Sequence, residues 1–270
     1  MEQSGVTLQS TPVTQPPPLD ELIAFEPEVL LARQAPLSLE PDTVQVWCFE
    51  LEGPAELVAR CRELLSPQER QRADRFVFER DRVRHTVAHA VLRHLLSRYC
   101  GVAAGSLAFA TTASGKPSLL QHPGVCFNLT HSESRALLGV SAGRELGIDL
   151  ERVRSNIEVL SISDHYFFGA ERDAIQAAPV ALRDDTFFRY WVAKEAVLKA
   201  QGIGLGFPLD RFRVDFQPDG MAARIDSLDP AALAPYWNVK MLRCPVGWHG
   251  AVVARGTDWR IQLVTDPPHL

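Results

Sequence analysis

Between Asp185 and Gln201 the chain carries an apolar helical pattern broken by one charged stripe, which narrows what it can fold into. Phe187, Phe188, Val192, Val197 and Leu198 leave little of this helix to face water. Trp191, Glu195 and Lys199 fall at i, i+4 and i+8 and share one face. An ordinary surface Glu–Lys pair, worth about 0.2–0.5 kcal/mol, fits those positions. Charges on a largely buried helix, however, need a partner from elsewhere in the fold.

Other segments predict the layers around it. Val44–Phe49 alternates as a strand does. Ser66, Pro67 and Glu69 form a helix start with a serine cap, a first-turn proline and a capping-box glutamate. Val83, Val87, Val91 and Leu95 predict a long helix over 81–99, with Gly101 as its stop. Short strands are expected over 107–111, 125–129, 136–140 and 146–151, then helical turns over 158–168 and 170–177. Strand patterns return at 212–216, 237–242, 249–254 and 261–265. This order predicts an α+β protein of two similar lobes, over 43–145 and 146–270, although no sequence repeat marks a duplication. Residues 1–42 hold seven prolines and are expected to form a loosely packed extension with a short helical piece near 19–31.

Composition removes several function classes. The five cysteines are odd in number and scattered without Cys-x-x-Cys spacing, against a disulfide framework or a zinc–thiolate site. A reducing, cytoplasmic setting is expected. No apolar run reaches the roughly 20 residues of a membrane helix, and the first residues lack a secretion signal. A net charge of −5 speaks against nucleic acid as a partner. Charge is nonetheless uneven, with eight arginines between Glu69 and Arg98. They make either a solvated helix face or a surface for an anionic ligand.

Three clusters have chemical potential. In Gly147-Ile148-Asp149-Leu150-Glu151, strand alternation puts both acids on one side, about 7 Å apart. Taken alone, a solvated edge strand accounts for them; with Glu195, a hard cation does so too, since magnesium takes a few carboxylates and leaves room for phosphate. Phe127-Asn128-Leu129-Thr130-His131-Ser132 places a histidine among hydroxyls, either structural or a phosphate donor. Lys116, in Ser114-Gly115-Lys116-Pro117, is a compact cation in a permissive turn. Three tempting patterns fail. His85 and His89 have zincin spacing without the glutamate, the glycines from Gly202 to Gly206 follow a helix instead of opening one, and Ser132 lacks a nucleophile elbow.

Taken in order, these pieces resemble the 4′-phosphopantetheinyl transferases of the larger, monomeric class. The resemblance rests on Ser66-Pro67 through Arg75-Phe76-Val77-Phe78, then Gly115-Lys116-Pro117, then Phe127 to Ser132. It continues through Gly147-Ile148-Asp149-Leu150-Glu151 and Trp191-x-x-Lys194-Glu195-Ala196-x-x-Lys199-x-x-Gly202-x-Gly204-Leu205. It implies two pseudo-symmetric lobes with coenzyme A, the co-substrate, between them. The phosphopantetheine arm would pass to an apo acyl or peptidyl carrier protein. By the same resemblance Asp149, Glu151 and Glu195 match magnesium (or manganese) ligands, and Lys199 a lysine near the pyrophosphate. Glu195 would be the base and Lys199 would stabilise developing charge. Lys116 and His131 match contacts to the nucleotide phosphates, and Arg72, Arg80 and His85 further contacts to coenzyme A. Thr130, counted by the resemblance among the cofactor contacts, stands where the family has serine and keeps the hydroxyl. The resemblance leaves the role of Lys194 open. A non-catalytic relative that binds coenzyme A or a carrier is the alternative.

Overall fold

A computed structural model describes residues 21–111, 115–204, 206–228 and 236–265. The chain opens with a short helix α1 (Pro27–Leu31) and a strand β1 (Thr43–Glu50), followed by helices α2 (Ala55–Leu64), α3 (Pro67–Asp74) and α4 (Glu79–Cys100). Strands β2 (Phe109–Thr111) and β3 (Pro117–Leu119) form a small hairpin. Then come β4 (Val125–Ser132), β5 (Arg135–Ala142) and β6 (Leu146–Arg152). Helices α5 (Val159–Tyr166), α6 (Gly169–Ala177) and α7 (Arg183–Gln201) precede β7 (Phe212–Phe216), β8 (Ala222–Ser227), β9 (Trp237–Met241), β10 (Trp248–Arg255) and β11 (Arg260–Leu263).

The strands make two main sheets, ordered β11-β1-β5-β4 and β6-β10-β9-β8-β7. All pairs are antiparallel except β1 with β11. Trp47, Phe49, Phe127 and Leu138 face Val87, Val91 and Leu95 of α4. The other faces of β1 and β5, with Val44, Val46, Cys48 and Leu137, pack on Leu146, Ile148, Leu150, Val252 and Ala254 of the second sheet. That sheet turns Ala251 and Val253 toward Phe188, Val192 and Ala196 of α7. The result is two sheets back to back, each covered on the outside by its long helix, which is the two-lobed α+β arrangement expected from sequence.

Local chemistry sets the helix ends. Ser66 Oγ accepts from Glu69 N while Glu69 Oε2 accepts from Ser66 N, a complete capping box. Gly101 and Gly202 end α4 and α7 at φ 66° and 64°, a left-handed conformation that favours glycine.

Two expectations need correction. The segment before Thr43 lies outside the described residues only up to position 20; beyond that, Leu22, Phe25, Leu30 and Leu31 are buried, so it is packed rather than loose. Burying four apolar side chains outweighs the local breaks at proline. The lobe read as 146–270 also gives its last strand away, because β11 pairs with β1 in the first sheet. Leu205 and Ser114 lie outside the described residues.

Candidate functional site

The edge strands β4 and β6 meet where the two sheets adjoin, and side chains rather than backbone stitch them together. Asn128, Thr130 and Ser132 alternate along β4 and so reach one face. Asn128 Oδ1 accepts from Ile148 N at 2.8 Å, Thr130 Oγ1 donates to Asp149 Oδ1 at 3.0 Å, and Ser132 Oγ donates to Glu151 Oε2 at 2.7 Å. Asp149 and Glu151 therefore do share a face.

Helix α7 closes the third side. Gly147 allows it to come close: a Cβ there would stand 2.1 Å from Ala196 O and 2.2 Å from Ala200 N. Trp191, Glu195 and Lys199 are half-buried along one face of the helix, in line with their spacing. Lys199 Nζ donates to Asp149 Oδ1 at 2.6 Å and to Thr130 Oγ1 at 2.9 Å.

Electrostatically the three acids oppose one another. Burial, then the charges of Asp149 and Glu151, pushes Glu195 up to about 7 although Lys199 pulls the other way. Burial also raises Glu151, with Asp149 adding to it, and raises Asp149 against the opposing pull of Lys199. Asp149 Oδ2 and Glu195 Oε1 are buried without a hydrogen-bond partner. Those orphaned oxygens, hard and anionic, suit a divalent cation such as magnesium.

The expected ligand set is nevertheless not preassembled. Among the described residues no three or more His, Cys, Asp or Glu side chains converge as a metal cage. The reason is local: Lys199 holds Asp149 Oδ1 and Ser132 holds Glu151, so the carboxylates are tied separately. A cation would have to draw them together.

Beside this triad runs a cleft between α3, α4 and β4. A hollow of about 380 Å³ is lined by Arg80, Arg84, His131, Glu151 and Arg154, among others. It adjoins one of about 800 Å³, which shares Phe76, His85 and His131 with it and adds Arg72, Gly115, Phe109 and Leu129. The smaller hollow is lined mainly by charged groups, Asp81 and Glu133 included, and the larger adds apolar Leu92, Phe109 and Leu129. His131 opens onto both, held below the usual imidazole range by partial burial and then by the charge of Lys199. His85 is pushed down to about 4 by burial, then by His89 and Arg72. Its Nε2 has no partner, and its ring lies 4.1 Å from that of His89.

Arg72, Arg80, His85, His131 and Glu151 thus come together around one cleft. Two expected cofactor contacts do not reach it. Lys116 Nζ donates to Leu146 O at 3.1 Å and Ala200 O at 2.5 Å, pinning one lobe to the other, and its chain packs under Gly202. The carbonyl end of α7 attracts a cation more closely than the open cleft does. Thr130 is buried and holds Asp149 and Lys199 instead of facing the cleft.

Sequence reasoning missed Ser132 and Asn128 as holders of β6, though the i, i+2, i+4 polar alternation on β4 carried the signal. It missed Glu69, which accepts from Arg93 Nε at 2.6 Å and lies 3.3 Å from His89 Nδ1, forming the cleft floor. Lys194 proves structural. It is fully buried, with Nζ 2.8 Å from Glu171 Oε2 and donating to Leu209 O and Phe212 O.

Comparison with known proteins agrees with this architecture. Residues 145–253 match the model of the 4′-phosphopantetheinyl transferase superfamily, and residues 54–142 match that of the 4′-phosphopantetheinyl transferase N-terminal domain. The chain is 33% identical over 229 residues to the 4′-phosphopantetheinyl transferase HetI of Nostoc, covering 83% of this chain and 92% of that protein. It is 28% identical over 179 residues to the 4′-phosphopantetheinyl transferase Sfp of Bacillus subtilis, covering 66% and 79%. It is 29% identical over 187 residues to the human L-aminoadipate-semialdehyde dehydrogenase-phosphopantetheinyl transferase, covering 64% and 60%.

Proposed function

This chain belongs to the 4′-phosphopantetheinyl transferase superfamily, and we propose that it moves the phosphopantetheine arm of coenzyme A to a serine of an apo acyl or peptidyl carrier protein. The observation that carries the reading is the meeting of β4, β6 and α7. There Asp149 and Glu151, each tied to its own partner, and Glu195 on α7 surround Lys199 beside a cleft large enough for the nucleotide. The relatives above are named as transferases, which speaks against a non-catalytic binder.

In this reading Arg72, His85 and His131 take the nucleotide end of coenzyme A, and Arg80 and Arg154 flank the arm. Asp149, Glu151 and Glu195 would hold a magnesium or manganese ion, which when bound supplies neutralising charge to the diphosphate oxygens. Lys199 stands beside Asp149 and directs its ammonium toward the same oxygens. The carrier serine oxygen bonds to the β-phosphorus as the bridging P–O bond breaks, and adenosine 3′,5′-bisphosphate leaves with that electron pair. Glu195 receives the serine proton at its unpartnered Oε1. Without a cation, burial and the neighbouring acids hold this carboxyl up to about 7; a bound cation would lower it and keep it ionised, ready to accept the proton.

Chromatography of the products from coenzyme A tests this. Adenosine 3′,5′-bisphosphate formed only when an apo-carrier is present is the expected result. Its release without carrier, or free phosphate in its place, would identify a hydrolase.

A further inference from the structure

Two of the most exposed large apolar side chains among the described residues are neighbours. Val77 is 85% and Phe78 66% exposed, at the corner where α3 gives way to α4. Phe78 also takes the N-cap position of α4, where Ser, Thr, Asp or Asn would close the first turn, and offers no side-chain hydrogen bond. Neither local structure nor packing explains an outward phenylalanine at that position. The dipeptide follows Phe76 and is separated from Arg80 by Glu79; Phe76 and Arg80 both line the cleft beside Glu151. It therefore lies close in the chain to the rim of that cleft.

The ground around it is basic. Residues 70–84 hold six arginines against three acids in a chain whose net charge is −5. Arg72, Arg75 and Arg80 are exposed. Even with Glu79 paired to Arg82 and Asp81 beside Arg80, the segment keeps a positive excess, and an apolar pair in such a segment suits a protein face that carries an apolar side chain among acids.

We propose that Val77 and Phe78 form the apolar anchor on which an acidic carrier protein docks while its serine enters the cleft; this rests on the transferase reading above. The corner would fix the carrier's position without touching the reacting atoms.

The test compares the full chain with Val77→Ser/Phe78→Ser, and with Val180→Ser as an exposed control on the other lobe, 76% exposed in the parent. Affinity for purified apo-acyl and apo-peptidyl carrier proteins is measured by fluorescence anisotropy, alongside coenzyme A affinity, thermal melting and transfer. The double variant is expected to raise the carrier Kd at least tenfold, with coenzyme A affinity and melting unchanged and transfer restored by saturating carrier. Val180→Ser is expected to match the parent. Carrier affinity unchanged in the double variant would overturn the proposal. A parent chain that binds carrier through this corner yet transfers nothing would overturn the transferase reading and leave the docking surface standing. A parent that neither binds nor transfers would overturn both.

Discussion

Lys199 Nζ lies 2.6 Å from Asp149 Oδ1 and 2.9 Å from Thr130 Oγ1, so one ammonium fastens the last turn of α7 to both sheet edges. Thr130 is the neutral link in that contact, donating to the carboxylate while accepting from the lysine. Thr130→Val keeps the shape and removes the hydroxyl. It is expected to lower stability by about 1–3 kcal/mol, the cost of a buried polar group left short of a partner. Thr130→Ser should retain most of the stability. Chemical denaturation of both variants checks this, and a valine variant as stable as the parent would count against the link.

Glu195 makes stability depend on pH. Its carboxyl, at about 7 in the folded chain, lies above its ordinary value, so the native state holds the proton more tightly. That contribution is complete below the unfolded-state value near 4.5 and is lost as pH rises through about 7. Between pH 5 and pH 8 the parent should lose roughly 2–3 kcal/mol relative to Glu195→Gln. Magnesium should flatten the difference by balancing the ionised carboxylate. Denaturation at the two pH values, with and without magnesium, measures it. Parallel pH profiles for parent and variant would refute the assignment.

The Lys194–Glu171 pair is predicted to serve the fold and not the reaction. Burial pushes the lysine down and the glutamate up, each opposed by the other, and both are satisfied by backbone groups. Removing one partner, as in Lys194→Met, should cost about 3–5 kcal/mol. Lys194→Met with Glu171→Leu should recover part of that loss. Transfer by the protein still folded should keep its KM for coenzyme A, whereas a raised KM would bring Lys194 into the site.

Gly147 is where strand and helix backbones touch. A methyl group there would sit 2.1 Å from Ala196 O, well inside any permissible contact. Gly147→Ala should displace β6 from α7, with a stability loss of at least about 2 kcal/mol and a larger relative loss of transfer. An alanine variant with parental melting and transfer would show that the approach has slack.

Much of this was readable in advance because it rests on short-range pattern. The stripe of Trp191, Glu195 and Lys199 follows from helical spacing, and Gly101 marks a helix end by chirality alone. Strand alternation placed Asp149 and Glu151 together. What was not readable depends on distant chain. Lys116 looked like a phosphate contact because its acceptors, Leu146 O and Ala200 O, lie 30 and 84 residues away. Lys194 showed no role until α6 brought Glu171 to it. Strand β8, with Ala-Ala-Arg-Ile-Asp-Ser, carries few branched residues and is held by neighbours on both sides. Leu22 and Phe25 stood among prolines and gave no sign of burial.

The account turns on transfer of the arm to protein, and intact-protein mass spectrometry reads that directly. An apo-carrier protein is incubated with this chain, coenzyme A and magnesium, with a chelator-treated sample in parallel. The account predicts that the carrier gains the mass of one phosphopantetheine arm, and that the chelator abolishes the gain. No gain on acyl and peptidyl carriers alike, beside a transferase that modifies both, would contradict it.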